Sequence, residues 1–165
     1  MNASLSSSTA NRPDRRSLWL YYWAPAFAWL ILVAIFSNQP FSAFNTGHWL
    51  RQVLDFLHIQ LSEPTFRVVH HWVRKDAHFF AYGILSWLLF RAFRQTDTLR
   101  SKWRWKWALL TLGICLLTAS GDELHQSFTP GRKGSWKDVT LDMMGAGFFQ
   151  LASIYAAFRK RSTRG

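Results

Sequence analysis

Two short stretches of this 165-residue chain concentrate the groups that could do chemistry. One runs Gly121-Asp122-Glu123-Leu124-His125-Gln126 and continues through Arg132, Lys133, Lys137 and Asp138 to Asp142. The other holds His70, His71, Arg74, Lys75, Asp76 and His78. On a helix, His71, Lys75, His78 and Tyr82 are spaced four, three and four residues apart and form one stripe. Asp122, His125 and Gln126 share a face if helix reaches them, and Asp138 and Asp142 align one turn apart. Carboxylates beside histidines suit acid–base catalysis, which makes Asp122, Glu123 and His78 the candidate catalytic residues. Arg132, Lys133 and Lys75 suit an anion such as the phosphate of a lipid headgroup, because Arg offers a planar, two-pronged donor set. Gln126, His125, Asp138, Asp142 and Tyr82 complete the candidate ligand-binding set. His78, His125, Asp122 and Glu123 lack the tight spacing of a metal site, so neither a metal nor any other cofactor is expected. An ion-paired network that only locks helices together would use the same residues, and that alternative stays open.

The elements that must position these groups are apolar. The chain is 49% hydrophobic and 17% aromatic, with 10 Trp and 4 Tyr, the amphipathic rings that suit the headgroup zone of a bilayer. From residue 17 to residue 50 there is no Asp, Glu, Lys or Arg, and residues 20–37 are about long enough to span a membrane. A signal peptide is the lesser alternative, since no convincing small-residue cleavage site follows. Three shorter runs follow, at residues 77–90, 107–121 and 139–158, flanked by Arg, Lys and Trp that can snorkel. A soluble bundle could use such short runs, but the first segment favours a membrane protein. The expected fold is all-α, a bundle of about four transmembrane helices. An additional interfacial helix lies between the first and second spans, because Trp49, Leu50, Val53, Leu54 and Leu57 recur at helical spacing. Ser62 and Pro64 suit the start of the next helix. In domain terms, residues 1–16 read as a disordered basic tail, 17–160 as the transmembrane domain and 161–165 as a basic C-terminal tail.

Charge sets orientation. The formal charge is +11, and its blocks lie between apolar runs, which argues for a membrane protein and against a nucleic-acid partner. Of the 20 Lys and Arg, 13 fall on the side of the termini and 7 on the other, so both termini are expected in the cytoplasm. The start of span two, the end of span three and the start of span four must meet at one membrane face, here the extracytoplasmic one. An ionised Asp142 at bilayer depth costs up to ~3 kcal/mol, so it should face the bundle and meet Arg132, Lys75 or a histidine. Asp138 can instead cap the fourth helix. The single cysteine, Cys115, excludes a disulfide framework.

Three blocks of this sequence resemble the VanZ-like family of small bacterial integral membrane proteins. They are Phe36-Ser37-Asn38-Gln39-Pro40; Arg74-Lys75-x-x-His78-Phe79-x-x-Tyr82; and Asp122-Glu123-x-His125-Gln126-x-Phe128-x-Pro130-Gly131-Arg132, followed by Asp138-Val139 and Asp142-x-x-Gly145. Gly121 stands where Ser is common in the family. The resemblance implies a helical fold in the bacterial cytoplasmic membrane and a polar signature, without a settled activity. The family's namesake is linked to teicoplanin resistance, a link not carried to this chain. The expected function is recognition or processing of an anionic envelope lipid or its headgroup. A membrane transferase or phosphohydrolase and a non-enzymatic interaction protein are the alternatives, with transport a lesser one, since four short spans give little room for a pathway without oligomerisation. The expected partner is a membrane lipid or lipid-linked envelope molecule, with a homo-oligomer or a membrane-protein partner also allowed.

Overall fold

A computed structural model describes residues 15–37, 43–96, 105–128 and 134–162. It contains five helices: α1 (Arg15–Phe36), α2 (Ala43–Phe56), α3 (Glu63–Thr96), α4 (Trp105–Ser127) and α5 (Trp136–Ser162). No strand occurs among the described residues. The all-α expectation holds, with α2 in the place foreseen for the interfacial helix. α1 begins at Arg15, inside the stretch read as a tail, and α5 reaches Ser162, into the stretch read as the C-terminal tail. Residues 1–14 lie outside the described ones.

Cross-contacts fix helix directions. Trp29 Nε1 of α1 donates to the Ala81 carbonyl of α3 at 2.8 Å, and the Trp23 ring meets Phe93 edge-on at 4.9 Å, so α1 and α3 run antiparallel. Phe93 stacks in turn on Trp107 of α4 at 5.1 Å. Gln150 of α5 donates to the Ala108 carbonyl of α4, and Gly134 before α5 abuts the Glu123 carbonyl, making α4 and α5 antiparallel as well. α3 and α5 are therefore parallel, and their packing is the most extensive in the molecule. It depends on two glycines. A Cβ on Gly145 would collide with the Phe79 carbonyl, and one on Gly83 would collide with the Phe149 ring. Small residues let helices approach this closely in a membrane bundle.

α3 has 34 residues, about 50 Å of helix, against a hydrocarbon layer of about 30 Å. Its first third, with the Ser62 hydroxyl accepting from Thr65 N–H at 3.4 Å, carries α2. There Arg51 forks onto Glu63 with two bonds of 2.7 Å and lies over the Phe66 ring. Thr46 meets His70 Nε2 at 3.0 Å beneath buried Gly47. α2 ends with His58 at φ 57°, the left-handed position of a Schellman-type stop, as Ile59 N–H reaches back to the Leu54 carbonyl.

Among the described residues, two helices are long and apolar enough to cross a membrane: α1 over Arg16–Phe36, mean hydropathy 1.8, and α4, mean hydropathy 1.2. Four such spans were expected, so that count is not reached by apolarity. The difference has a physical source: the first halves of α3 and α5 carry charged residues, of which Lys75, Asp138 and Asp142 lie between the two helices while Arg67, Asp76 and Lys137 are exposed. Around the outside, Phe27, Ile31 and Ile35 of α1 and Leu109, Leu117 and Leu124 of α4 are exposed, an arrangement compatible with lipid contact.

Candidate functional site

The ends of α1 and α4 and the starts of α3 and α5 come together at one end of the bundle. Parallel packing of α3 on α5 sets two rungs. Lys75 Nζ lies 2.9 Å from Asp138 Oδ1, and one turn further along, His78 Nδ1 lies 3.2 Å from Asp142 Oδ1. The outer rung is part exposed, whereas Asp142 is fully buried. Asp142 thus faces the bundle and meets a histidine, one of the three partners expected for it. Tyr82, one turn beyond His78, is 1% exposed, and its hydroxyl has no hydrogen-bond partner among the described residues.

α4 continues as helix to Ser127, so the acidic pair lies on helix and its two carboxylates diverge. Asp122 turns toward α3 and accepts from Gln126 Nε2 at 3.2 Å, one turn on. Glu123 is buried, and its Oε2 accepts from the Ser135 backbone N–H at 2.6 Å. Ser135 precedes α5, and its carbonyl receives the N–H groups of Asp138 and Val139. Glu123 therefore ties the end of α4 to the start of α5. No sequence spacing signals this contact, because the partner is a main-chain group. His125 is exposed and lines a groove between α1 and α4 with Ala34, Ser37, Thr118 and Asp122. Arg132, with Lys133, lies outside the described residues.

Two cavities flank α3 at this end. A cleft of about 230 Å³ has walls of Val33, Phe36, Ala77 and Ala81, with Tyr82, Asp122, Gln126 and Thr46 among them. On the other side, a groove of about 480 Å³ between α3 and α5 is lined by His71, Lys75, Lys137 and Asp138. Arg74 and His78, one turn apart, line both. Arg74 was visible in the sequence as part of the cluster but had no assigned role. Its double exposure depends on how α1 and α5 straddle α3, which spacing along one helix does not encode. Among the described residues, no group of three or more His, Cys, Asp or Glu is arranged to hold a metal ion.

No curated protein and no solved structure matches the chain. The VanZ/LLP1 family model matches residues 22–156, a stretch that takes in both rungs, the cleft and the groove. With most of its length matched, this chain belongs to the VanZ/LLP1 family.

Proposed function

We propose that the protein is a multi-pass protein of the bacterial cytoplasmic membrane that recognises or processes an amphiphile bearing an anionic headgroup, such as an envelope lipid. The observation that carries this reading is the pair of unlike cavities, one on each side of α3, that share Arg74 and His78 as lining residues. The cleft surface is mainly apolar, with Arg74, His78, Asp122 and Gln126 among its lining residues, and the groove presents Arg74, Lys75 and Lys137 against one carboxylate, Asp138. A headgroup phosphate suits the basic groove, and an apolar tail suits the cleft. Lys75 is held at the groove edge by Asp138, which fixes a cation where an anion would sit. Arg132, outside the described residues, remains the sequence's further candidate for the anion. All four long helices cross the bilayer, with Lys75, His78, Asp138 and Asp142 of α3 and α5 turned toward each other, and the site faces outward while both termini are cytoplasmic.

Native mass spectrometry of protein released from its own membranes tests this, comparing wild type with Arg74→Gln and Arg132→Gln. An anionic lipid retained by wild type and lost from a folded variant is the expected result. Equal retention in all three, or none in any, sinks the headgroup reading and favours an interaction protein.

One observation favours an enzymatic form of the same site. The His78–Asp142 pair engages Nδ1, and Nε2 is then the ring nitrogen available to a bound group, as a general base requires. Asp122, beside His78 at the cleft, is the second acid–base candidate. Once the lipid is identified, Asp142→Asn should abolish its turnover while binding persists. Turnover that survives this change removes the pair from the chemistry.

A further inference from the structure

α1 and α4 each run antiparallel to α3 and so run parallel to one another, yet the two share no extensive packing. At the site end a groove of about 320 Å³ lies between them. Val33 and Ala34 of α1 form its inner half with Thr118 of α4, whose hydroxyl is already spent on the Ile114 carbonyl. Ser37 of α1, with Asp122 and His125 of α4, forms the outer half. The groove therefore passes from apolar to polar along the bundle axis, the same order that a lipid has from chain to headgroup. Between the halves, Gly121 is exposed, and a Cβ there would meet nothing within 4 Å. On the same stretches of the two helices, Ile35, Leu117 and Leu124 are exposed, an apolar border that suits lipid.

This groove and the cleft share Val33, Ser37 and Asp122 as lining residues, so each of the three faces both spaces. No Lys or Arg lines the groove, whereas Arg74 lines the cleft. An anionic headgroup thus has no seat in the groove and gains one on reaching the cleft. We propose that the α1–α4 groove is a side entrance, through which a lipid with an anionic headgroup passes from the adjoining leaflet into the cleft. The entrance rests on the headgroup reading above and adds the route to it. Sideways passage keeps a hydrocarbon chain in apolar surroundings, whereas an approach from the water side would expose every methylene. A water-soluble anion would gain nothing from the apolar inner half or its border.

The test follows exchange of the lipid that the full chain retains from its own membranes. In nanodiscs the protein is challenged with chain-deuterated phosphatidylglycerol, and native mass spectrometry reads replacement of the retained lipid by the heavier one. Gly121→Trp, which sets a large ring in the groove from an open position, should slow replacement at least tenfold without changing the amount retained. Gly113→Trp, at an equally open position of α4 outside the groove, should not slow it. Equal rates in wild type and folded Gly121→Trp overturn the entrance and leave the headgroup reading standing. If such equal rates come with loss of a co-purifying second copy, the groove is a protein interface instead. Equal slowing by Gly113→Trp also overturns the entrance, and so does loss of the retained lipid from folded Gly121→Trp, which would make the groove a seat. A wild type that retains no lipid removes the headgroup reading and the entrance with it. Should Gly121→Trp not fold, Ala34→Trp on the opposite wall decides by the same outcomes.

Discussion

His78 Nδ1 lies 3.2 Å from Asp142 Oδ1, one turn past the point where Lys75 meets Asp138 at 2.9 Å. The two rungs differ in burial: Asp142 is fully enclosed, while the Lys75 and Asp138 side chains are 27% and 37% exposed. Removing His78 strands a carboxylate in the interior, whereas removing Asp138 returns a lysine to water. His78→Ala should cost roughly 3–5 kcal/mol, and Asp138→Asn under about 1 kcal/mol. The double variant His78→Ala/Asp142→Ala should lose less than its two singles combined. Thermal unfolding in detergent measures all four, and equal losses at the two rungs would refute the burial argument.

Gly145 and Gly147 lie on the same helix two residues apart and should respond oppositely to a methyl group. At Gly145 the methyl would meet the Phe79 main chain, which cannot step aside, whereas at Gly147 nothing lies within 4 Å. Gly145→Ala should cost about 1–3 kcal/mol. Gly147→Ala should be neutral or slightly stabilising, because alanine favours helix. Matching unfolding temperatures for the two variants would contradict the close approach of α3 and α5.

Glu123 separates a brace from a catalyst. Its carboxylate receives the Ser135 N–H at the start of α5, and a glutamine carbonyl can receive the same bond. Glu123→Ala should therefore cost about 1–2 kcal/mol, and Glu123→Gln much less. If turnover of a lipid is found, survival of activity in Glu123→Gln would assign Glu123 to positioning. Loss of turnover in a variant that still binds and folds normally would restore it as an acid–base group.

Docking of α2 on α3 should weaken in acid. His70, outside the apolar spans, is held below the ordinary histidine range by burial, then by the Arg74 and His71 charges. It bonds Thr46 and stacks on Phe66. An unfolded or undocked His70 takes a proton near pH 6.5, and the docked one only at lower pH. The contact is thus at full strength above about 6.5 and loses stability as pH falls through that value, levelling once docked His70 is charged too. Hydrogen exchange across α2 should show declining protection below about pH 6.5, and His70→Gln should abolish the trend. A pH-independent α2 in the wild type would remove His70 from the docking.

Much of the site was legible because helical spacing is arithmetic. The alignment of Lys75 with His78 and of Asp138 with Asp142, and the need for Asp142 to find an inward partner, all followed from periodicity and the cost of a buried charge. Which of three partners it chose did not follow, since that depends on the axial offset between α3 and α5. The offset is set by Gly145 seating on Phe79, a close approach that spacing along a single helix does not reveal. The roles of Arg74 and Glu123 were hidden for different reasons. One needs the position of two neighbouring helices, and the other needs a backbone partner that has no letter of its own.

The rings of Trp23, Phe93 and Trp107 close against one another at the end of the bundle opposite the site. Phe93 of α3 thus clasps α1 through Trp23 and α4 through Trp107 without drawing on any charged group of the site. The three helices are latched there by ring contacts that neither salt nor pH addresses, so a substitution at either rung leaves the latch in place.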